Sequence, residues 1–352
     1  MRTYLAVFLA LVASSVACPV RAALLSDHVS FAAGEDGDPV AIVSKLLSDR
    51  VSFAADANGD PVAIVSNAYG SCTVALRGGY VLACAFAGDA HPLVYVPKTG
   101  YRRVSPDAFV HGGIPLLWPW FGSMGAPSPE APFHATARSA LFALESVEDS
   151  ADATALVLSL GPCADVSAWT PGDFALEYRV ALGDHRLSLR TTTTNCGRGE
   201  FRFRGGYHPY FAVSDCYAVT LSGVDGCVYE STRDLPQDVT HVWKGKVPEW
   251  PGCDQFRFAE PKSVVTLEDS AWARDIVLST TGARDVVTWC QDVKGTKGGK
   301  AMNILPEECR DYFCVEPSNF YDASEVVLRP GESHALETVI SVVNRKNEQK
   351  GR

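Results

Sequence analysis

The sequence contains no CxxC pair, no HExxH, no GxGxxG after a strand, no P-loop and no GxSxG. These absences set aside a structural zinc module, the zincins, dinucleotide and nucleoside triphosphate folds, and the serine hydrolase elbow. No N-x-S/T sequon occurs. Positive charge is scarce: 31 Lys and Arg face 41 Asp and Glu, a net charge of −10. A nucleic-acid surface is thereby excluded, and any anionic ligand needs a local basic pocket. Beyond the N-terminus no apolar run is long enough to span a bilayer. What is present is an ordinary globular balance, with 47% hydrophobic and 20% charged residues. The 29 Gly and 21 Pro suit a turn-rich β protein.

The N-terminus stands apart. Arg2 precedes an apolar run over Tyr4–Val16, followed by small residues. This is the layout of a secretory signal, with cleavage expected after Ala17 or Ala22. Residues 1–22 are therefore read as a leader. The expected location is the secretory pathway, with the cytoplasm as the alternative, and no membrane span remains once the leader is removed. Next comes a tandem repeat. Leu24–Ser44 recurs as Leu46–Ser66 with 17 of 21 positions identical. Each copy reads as strand, polar turn, strand, which is a β-hairpin. Two copies cannot form a solenoid. Residues 24–44 are expected to be a peripheral extra hairpin. The second copy is expected to join the main sheet of a domain covering 46–345.

From Asn67 to Arg345 short apolar runs alternate with turns. They include Cys72–Leu76, Tyr80–Phe86, Leu93–Val96, Leu176–Leu182, Arg186–Asn195, Val286–Cys290, Tyr312–Glu316 and Ser333–Val343. RLSLRTTTT at 186–194 alternates with period 2, as a half-exposed strand does. No stretch keeps a long 3.6-residue period. The fold class is all-β, a large antiparallel β-sandwich. Eleven cysteines, one of them in or beside the leader, leave the question of disulfides open.

Four windows carry chemistry. HGGIPLLWPWFG at 111–122 packs two glycines, two prolines and three aromatics together. Its glycines permit close backbone approach, and Trp118 and Trp120 offer flat apolar faces to a sugar or to the core. FHATAR at 133–138 sets His134 four residues before Arg138, a cation suited to an anion. GGYHPYF at 205–211 places His208 among tyrosines, with Tyr210 on the same strand face. YFCVEP at 312–317 puts Glu316 at the end of an apolar run, sharing a face with Cys314 and Tyr312. Burial there raises a carboxyl pKa toward the range useful for proton transfer.

Taken in order, these windows resemble the aldose 1-epimerase superfamily, and most closely its hexose-6-phosphate 1-epimerase branch. That branch carries RGGIP-x-x-WPxFG, HGFAR, LHPYF-like and CVEP segments. They correspond here to His111–Gly122, His134–Arg138, Tyr207–Phe211 and Cys314–Pro317. A VWN-type strand corresponds to Val287–Gln291. The resemblance implies a β-supersandwich of the galactose mutarotase type. It implies a monomeric, cofactor-independent isomerase, with no metal, that interconverts sugar anomers at C1. The expected partner is a small sugar or sugar phosphate. By the same resemblance Glu316 is the base for the C1 hydroxyl and His208 the acid for the ring oxygen. Substrate binding falls to Arg138, His111, His134, Trp118 and Asp254, with Asp215 as the fallback for the last. The sequence departs from the family at His111, where the branch has arginine, at Ala135, where it has glycine, and at Cys290, where it has asparagine. The position of His111 belongs to the phosphate group, so Arg138 remains as the main cation, with Arg102 and Arg103 upstream as candidates to compensate. The departures leave two alternatives: a mutarotase of unphosphorylated aldoses, or a sugar-binding protein with weakened catalysis. A lyase or hydrolase on the same sandwich ranks last, since no second carboxylate motif is evident.

Overall fold

The computed structural model describes residues 29–33, 39–43, 48–103, 109–170, 172–231, 241–242, 255–291 and 303–345. Two eight-stranded antiparallel sheets dominate. The first runs, in spatial order, Thr220–Ser222, Val264–Asp269, Arg274–Thr281, Ser333–Asn344, Arg186–Asn195, Phe174–Gly183, Ala153–Leu160 and Ala143–Asp149. The second runs His241–Val242, Val228–Ser231, Phe256–Ala259, Asp285–Trp289, Tyr312–Asn319, Gly205–Tyr207 and Leu116–Leu117, with Tyr210–Ala212 also pairing onto Tyr312–Asn319. The expected β-sandwich is what forms, and no helix among the described residues is long and apolar enough to cross a membrane.

The period-2 pattern of Arg186–Asn195 builds the interface between these sheets. Leu187, Leu189, Thr191 and Thr193 are buried and alternate with more exposed neighbours. Thr191 shares a 2.8 Å hydroxyl hydrogen bond with Tyr207 of the second sheet, and the Tyr207 hydroxyl donates to the Leu336 carbonyl at 3.0 Å. Polar atoms trapped between the sheets are thus paired, which removes a penalty of roughly 1–3 kcal/mol each. Tyr312–Asn319 is buried at all eight positions, because both of its faces are covered. A strand covered on both faces has an unbroken apolar run, which is why Glu316 stands out in it.

The repeat divides. Among the described residues its first copy pairs only with itself, Val29–Ala33 against Pro39–Val43. Its second copy, Val51–Ala55 and Pro61–Asn67, joins neither large sheet. It extends a four-stranded sheet with Gly70–Ala75 and Tyr80–Phe86. Leu93–Val96, expected as a strand, forms only a bridge at Val94 to Phe211. Its amides are drawn to two different partners, Leu93 to the Cys84 carbonyl and Tyr95 to the Tyr210 carbonyl. No disulfide joins any of the nine cysteines among the described residues. The expected leader, residues 1–22, lies outside the described residues.

Candidate functional site

The site is built on the face of Tyr312–Asn319 that carries Cys314 and Glu316. Antiparallel register sets Tyr210 and Trp289 opposite Cys314, and Val287 opposite Glu316. Paired residues share a sheet face, so these side chains converge. His208 is delivered by the short break between Gly205–Tyr207 and Tyr210–Ala212. Its amide donates to the Pro115 carbonyl at 3.0 Å, and the Tyr210 amide donates to the Gly113 carbonyl at 2.8 Å. Two glycines allow this close fit. A Cβ on Gly206 would meet the Pro317 carbonyl at 2.4 Å, and one on Gly113, at φ 58°, would meet the Val81 carbonyl at 2.2 Å.

The outcome is a buried acid–base pair. His208 Nε2 lies 3.4 Å from Glu316 Oε1, with the carboxylate fully buried. Among the described residues neither Glu316 oxygen, nor His208 Nδ1, has a hydrogen-bond partner. The imidazole stacks on Tyr210, centroids 4.7 Å apart. Burial raises the Glu316 carboxyl well above the usual carboxylate range, and only the Arg257 guanidinium pulls it the other way. Arg257 shares the face through the register Arg257–Val287–Glu316. Burial lowers His208 to about 3, helped by the charge His111 would carry. Burial thus favours the neutral form of both groups, a protonated carboxyl beside an imidazole that keeps a lone pair.

Two further histidines border the pair. His134 adopts φ 64° and Ala135 φ 63°, a left-handed turn made without the glycine of the related motif. This turn brings the His134 ring edge-on to His208 at 5.4 Å. The Gly122 amide donates to His134 Nδ1 at 3.0 Å, so Nε2 carries its proton. Burial, then the neighbouring charges of His208, Arg138 and His111, holds His134 well below the usual histidine pKa. His111 is clamped by Asn303. Its amide donates to Asn303 Oδ1 at 2.8 Å, and Asn303 Nδ2 donates to its carbonyl at 3.0 Å. That fixes the amide orientation, so the 3.1 Å contact between His111 Nδ1 and Oδ1 is a donation from the ring. His111 Nε2 is left as an acceptor. Burial lowers His111 to about 4, so at neutral pH it supplies no cation. Arg138 lies 5.6 Å from the Phe109 ring, and Phe109 in turn touches His111, His134 and His208. Arg138 also lines a pocket with Asp56, Arg77, Tyr80, Tyr101 and Arg103.

The structure thus gathers His208, Glu316, His134 and His111, with Arg138 at the edge. Trp118 is elsewhere, which corrects its expected role. Its indole donates to Thr193 at 3.1 Å and packs on Phe174 and Phe201 in the core. Pleat alternation explains this: Leu117 joins Phe121, Val287 and Phe320 on the site side, so Trp118 must face the other sheet. Trp120 is likewise buried, donating to the Pro132 carbonyl at 2.9 Å. Asp254 lies outside the described residues. Its fallback Asp215 is engaged by Arg310 and does not join the site. Arg103 pairs with Asp60, and Arg102 is exposed. Sequence reasoning missed Asn303 and Arg257. Among the described residues one cluster has a donor set for a metal: His208, Cys314 and Glu316, with ligand atoms within 4.8 Å of one another.

Known proteins resemble this chain in sequence and in fold. The profile of the aldose 1-epimerase family matches residues 64–341. An Escherichia coli protein provisionally named glucose-6-phosphate 1-epimerase is 24% identical over 266 residues, covering 75% of this chain and 85% of the relative. A Cenchrus ciliaris protein of the same provisional name is 27% identical over 248 residues, covering 68% and 72%. Among solved structures, a provisionally named mutarotase from Salmonella typhimurium superposes with a TM-score of 0.75 at 20% identity, covering 86% of this chain and 96% of its own. A galactose mutarotase-like protein from Clostridium acetobutylicum gives 0.66 at 14% identity, covering 84% and 98%.

Proposed function

Because the chain belongs to the aldose 1-epimerase family and is an isomerase, we propose that it interconverts the α and β anomers of an aldohexose, with hexose 6-phosphate as the preferred form. The observation that carries this reading is the buried His208–Glu316 pair, 3.4 Å apart, with no hydrogen-bond partner at either carboxyl oxygen among the described residues. Anomer exchange needs a base at O1 and an acid at the ring oxygen of the same carbon. Glu316 takes the C1 hydroxyl proton and His208 protonates the ring oxygen. The C1–O5 bond breaks, C1 becomes an aldehyde carbon, and it turns. Closure on the other face runs both transfers backwards, so protons balance over a cycle.

The resting protonation fits this cycle. In the sugar-free pair burial favours a neutral Glu316 carboxyl, which carries one proton, beside a neutral His208 imidazole. The same proton count describes a carboxylate facing an imidazolium. A bound sugar donates its O1 hydroxyl to the carboxylate and accepts from the imidazolium at O5. Those two hydrogen bonds favour the charged arrangement that burial alone disfavours. His111 Nε2 accepts from a sugar hydroxyl, and His134 Nε2 donates to one.

The phosphate preference draws on Arg138 and the pocket it lines. Arg77, Arg103 and Arg138 supply three positive charges there; Asp56 lines the same pocket and Asp60 holds Arg77 and Arg103. Three cations less two carboxylates leave a surplus of one, enough to favour a phosphate over a neutral hydroxymethyl group. The test is NMR exchange spectroscopy on glucose, galactose and glucose 6-phosphate with purified protein. Acceleration of all three, largest in kcat/KM for the phosphate, is expected. Sugar binding with no acceleration would replace the enzyme by a binding protein.

A further inference from the structure

The His208–Glu316 pair has a third neighbour that anomer exchange does not use. Cys314 lies two residues before Glu316 on the same strand, so its thiol projects from the same face. The donor atoms of His208, Cys314 and Glu316 all fall within 4.8 Å of one another, and all three residues are buried.

We propose that this trio is an inhibitory site for a thiophilic divalent cation such as Zn²⁺, which occupies the sugar-processing pair and switches it off. The inference rests on the proposed mutarotase only for its inhibitory part; the binding site stands on geometry alone. Zinc takes His nitrogen and carboxylate oxygen at about 2.0–2.1 Å and thiolate at about 2.3 Å in a tetrahedron, which puts ligand atoms roughly 3.3–3.6 Å apart. The His208 Nε2 to Glu316 Oε1 distance of 3.4 Å already matches a tetrahedral edge. From a separation of up to 4.8 Å to an edge of about 3.6 Å, the sulfur needs to close in by at most about 1.2 Å, within the reach of side-chain torsions.

Charge and hydrogen bonding point the same way. Both Glu316 oxygens are buried and have no hydrogen-bond partner among the described residues, a state that costs roughly 1–3 kcal/mol per polar group and that a cation relieves. On binding, the Cys314 S–H bond and the Glu316 O–H bond break and two protons leave for bulk water. A thiolate, a carboxylate and a neutral imidazole around a dication sum to zero. A buried pocket that disfavours each separate charge accepts that neutral cluster. Three protein ligands also leave one coordination position open, where water or a sugar hydroxyl fits.

The experiment uses the full chain stripped with a chelator. Co²⁺ is titrated in as a spectroscopic stand-in, and Zn²⁺ binding is measured by competition with a chromophoric chelator. One equivalent is expected to bind, with a thiolate-to-cobalt charge-transfer band that is absent in Cys314→Ser and Cys314→Ala. Anomer exchange by the stripped protein is expected to fall at least tenfold at saturating Zn²⁺, and both cysteine variants are expected to resist that inhibition while retaining exchange. Cobalt binding without the charge-transfer band would overturn the site. Equal Zn²⁺ sensitivity in wild type and both variants would overturn it too. A stripped protein that gains activity on adding Zn²⁺ would overturn inhibition. An inactive stripped protein that still shows the band would count against the mutarotase reading and leave the metal site standing.

Discussion

Nε2 of His208 stands 3.4 Å from Oε1 of Glu316, and among the described residues neither carboxyl oxygen has a hydrogen-bond partner. The two groups come from segments 108 positions apart and meet because Tyr210–Ala212 pairs with Tyr312–Cys314. Such a pair is poorly suited to stabilising the fold, since an unpartnered buried carboxyl is a net cost. It is well suited to moving a proton between two oxygens of a bound sugar.

Glu316→Gln and His208→Ala are each expected to slow anomer exchange by about 10²–10⁴-fold, the usual worth of a general acid or base. Circular dichroism is expected to be unchanged, and Glu316→Gln is expected to raise Tm slightly, because a neutral amide replaces a carboxyl whose ionised form burial disfavours. Near-normal exchange in either variant would sink the assignment of roles.

His111 gives a prediction for stability against pH. Its pKa is lowered to about 4 in the folded chain by burial, against about 6.5 when unfolded. The unfolded state therefore binds the extra proton first. The contribution of His111 to stability is fully present above about 6.5 and is lost as pH falls from there toward 4. Each complete group contributes a slope of about 1.4 kcal/mol per pH unit within its window. His111→Gln is expected to flatten the fall in stability between pH 6.5 and 4.5 relative to wild type. Denaturant unfolding at a series of pH values measures this, and parallel curves for the two proteins would refute it.

Much of this architecture was legible in the sequence, for reasons that differ from residue to residue. Arg186–Asn195 announced itself because one face meets the second sheet and the other does not. Glu316 stood out because Tyr312–Asn319 is buried on both faces and a carboxyl there has no innocent explanation. Trp118 misled, because period-2 alternation over a two-residue strand leaves no pattern to say which face is which. Asn303 left no signal: its clamp on His111 joins positions 192 apart, and a single amide in a loop has no periodicity. Arg257 sat in an ordinary alternating strand, and only register across Val287 brings it toward Glu316.

Arg138 separates phosphate recognition from sugar recognition. Its Nε donates to the Phe133 carbonyl at 3.1 Å, while its guanidinium borders both Phe109 and the arginine-lined pocket. Arg138→Ala is expected to raise KM for glucose 6-phosphate by about tenfold or more, the worth of one charge-assisted hydrogen bond, and to change KM for glucose by much less. Steady-state kinetics on both substrates decide the matter. Equal effects would make Arg138 a support for the His134 turn and nothing more.

Gly206 links the fold most directly to the chemistry. It pairs with Ser318 on the strand that carries Glu316 and with Leu117 on the other side. A methyl group there would sit 2.4 Å from the Pro317 carbonyl and 2.5 Å from the Ser318 Cβ, and both are buried in a strand with no freedom to retreat. Gly206→Ala must push Gly205–Tyr207 away from Tyr312–Asn319. The displacement moves His208, two residues on, relative to Glu316. Overpacking of this kind costs about 1–3 kcal/mol or more, and a shift of about 1 Å in a catalytic group costs about 10²-fold in rate. The variant is expected to lose both Tm and kcat, with the loss in kcat persisting at temperatures where the protein is still fully folded. A lowered Tm with unchanged kcat would mean that the two strands can part without moving the histidine.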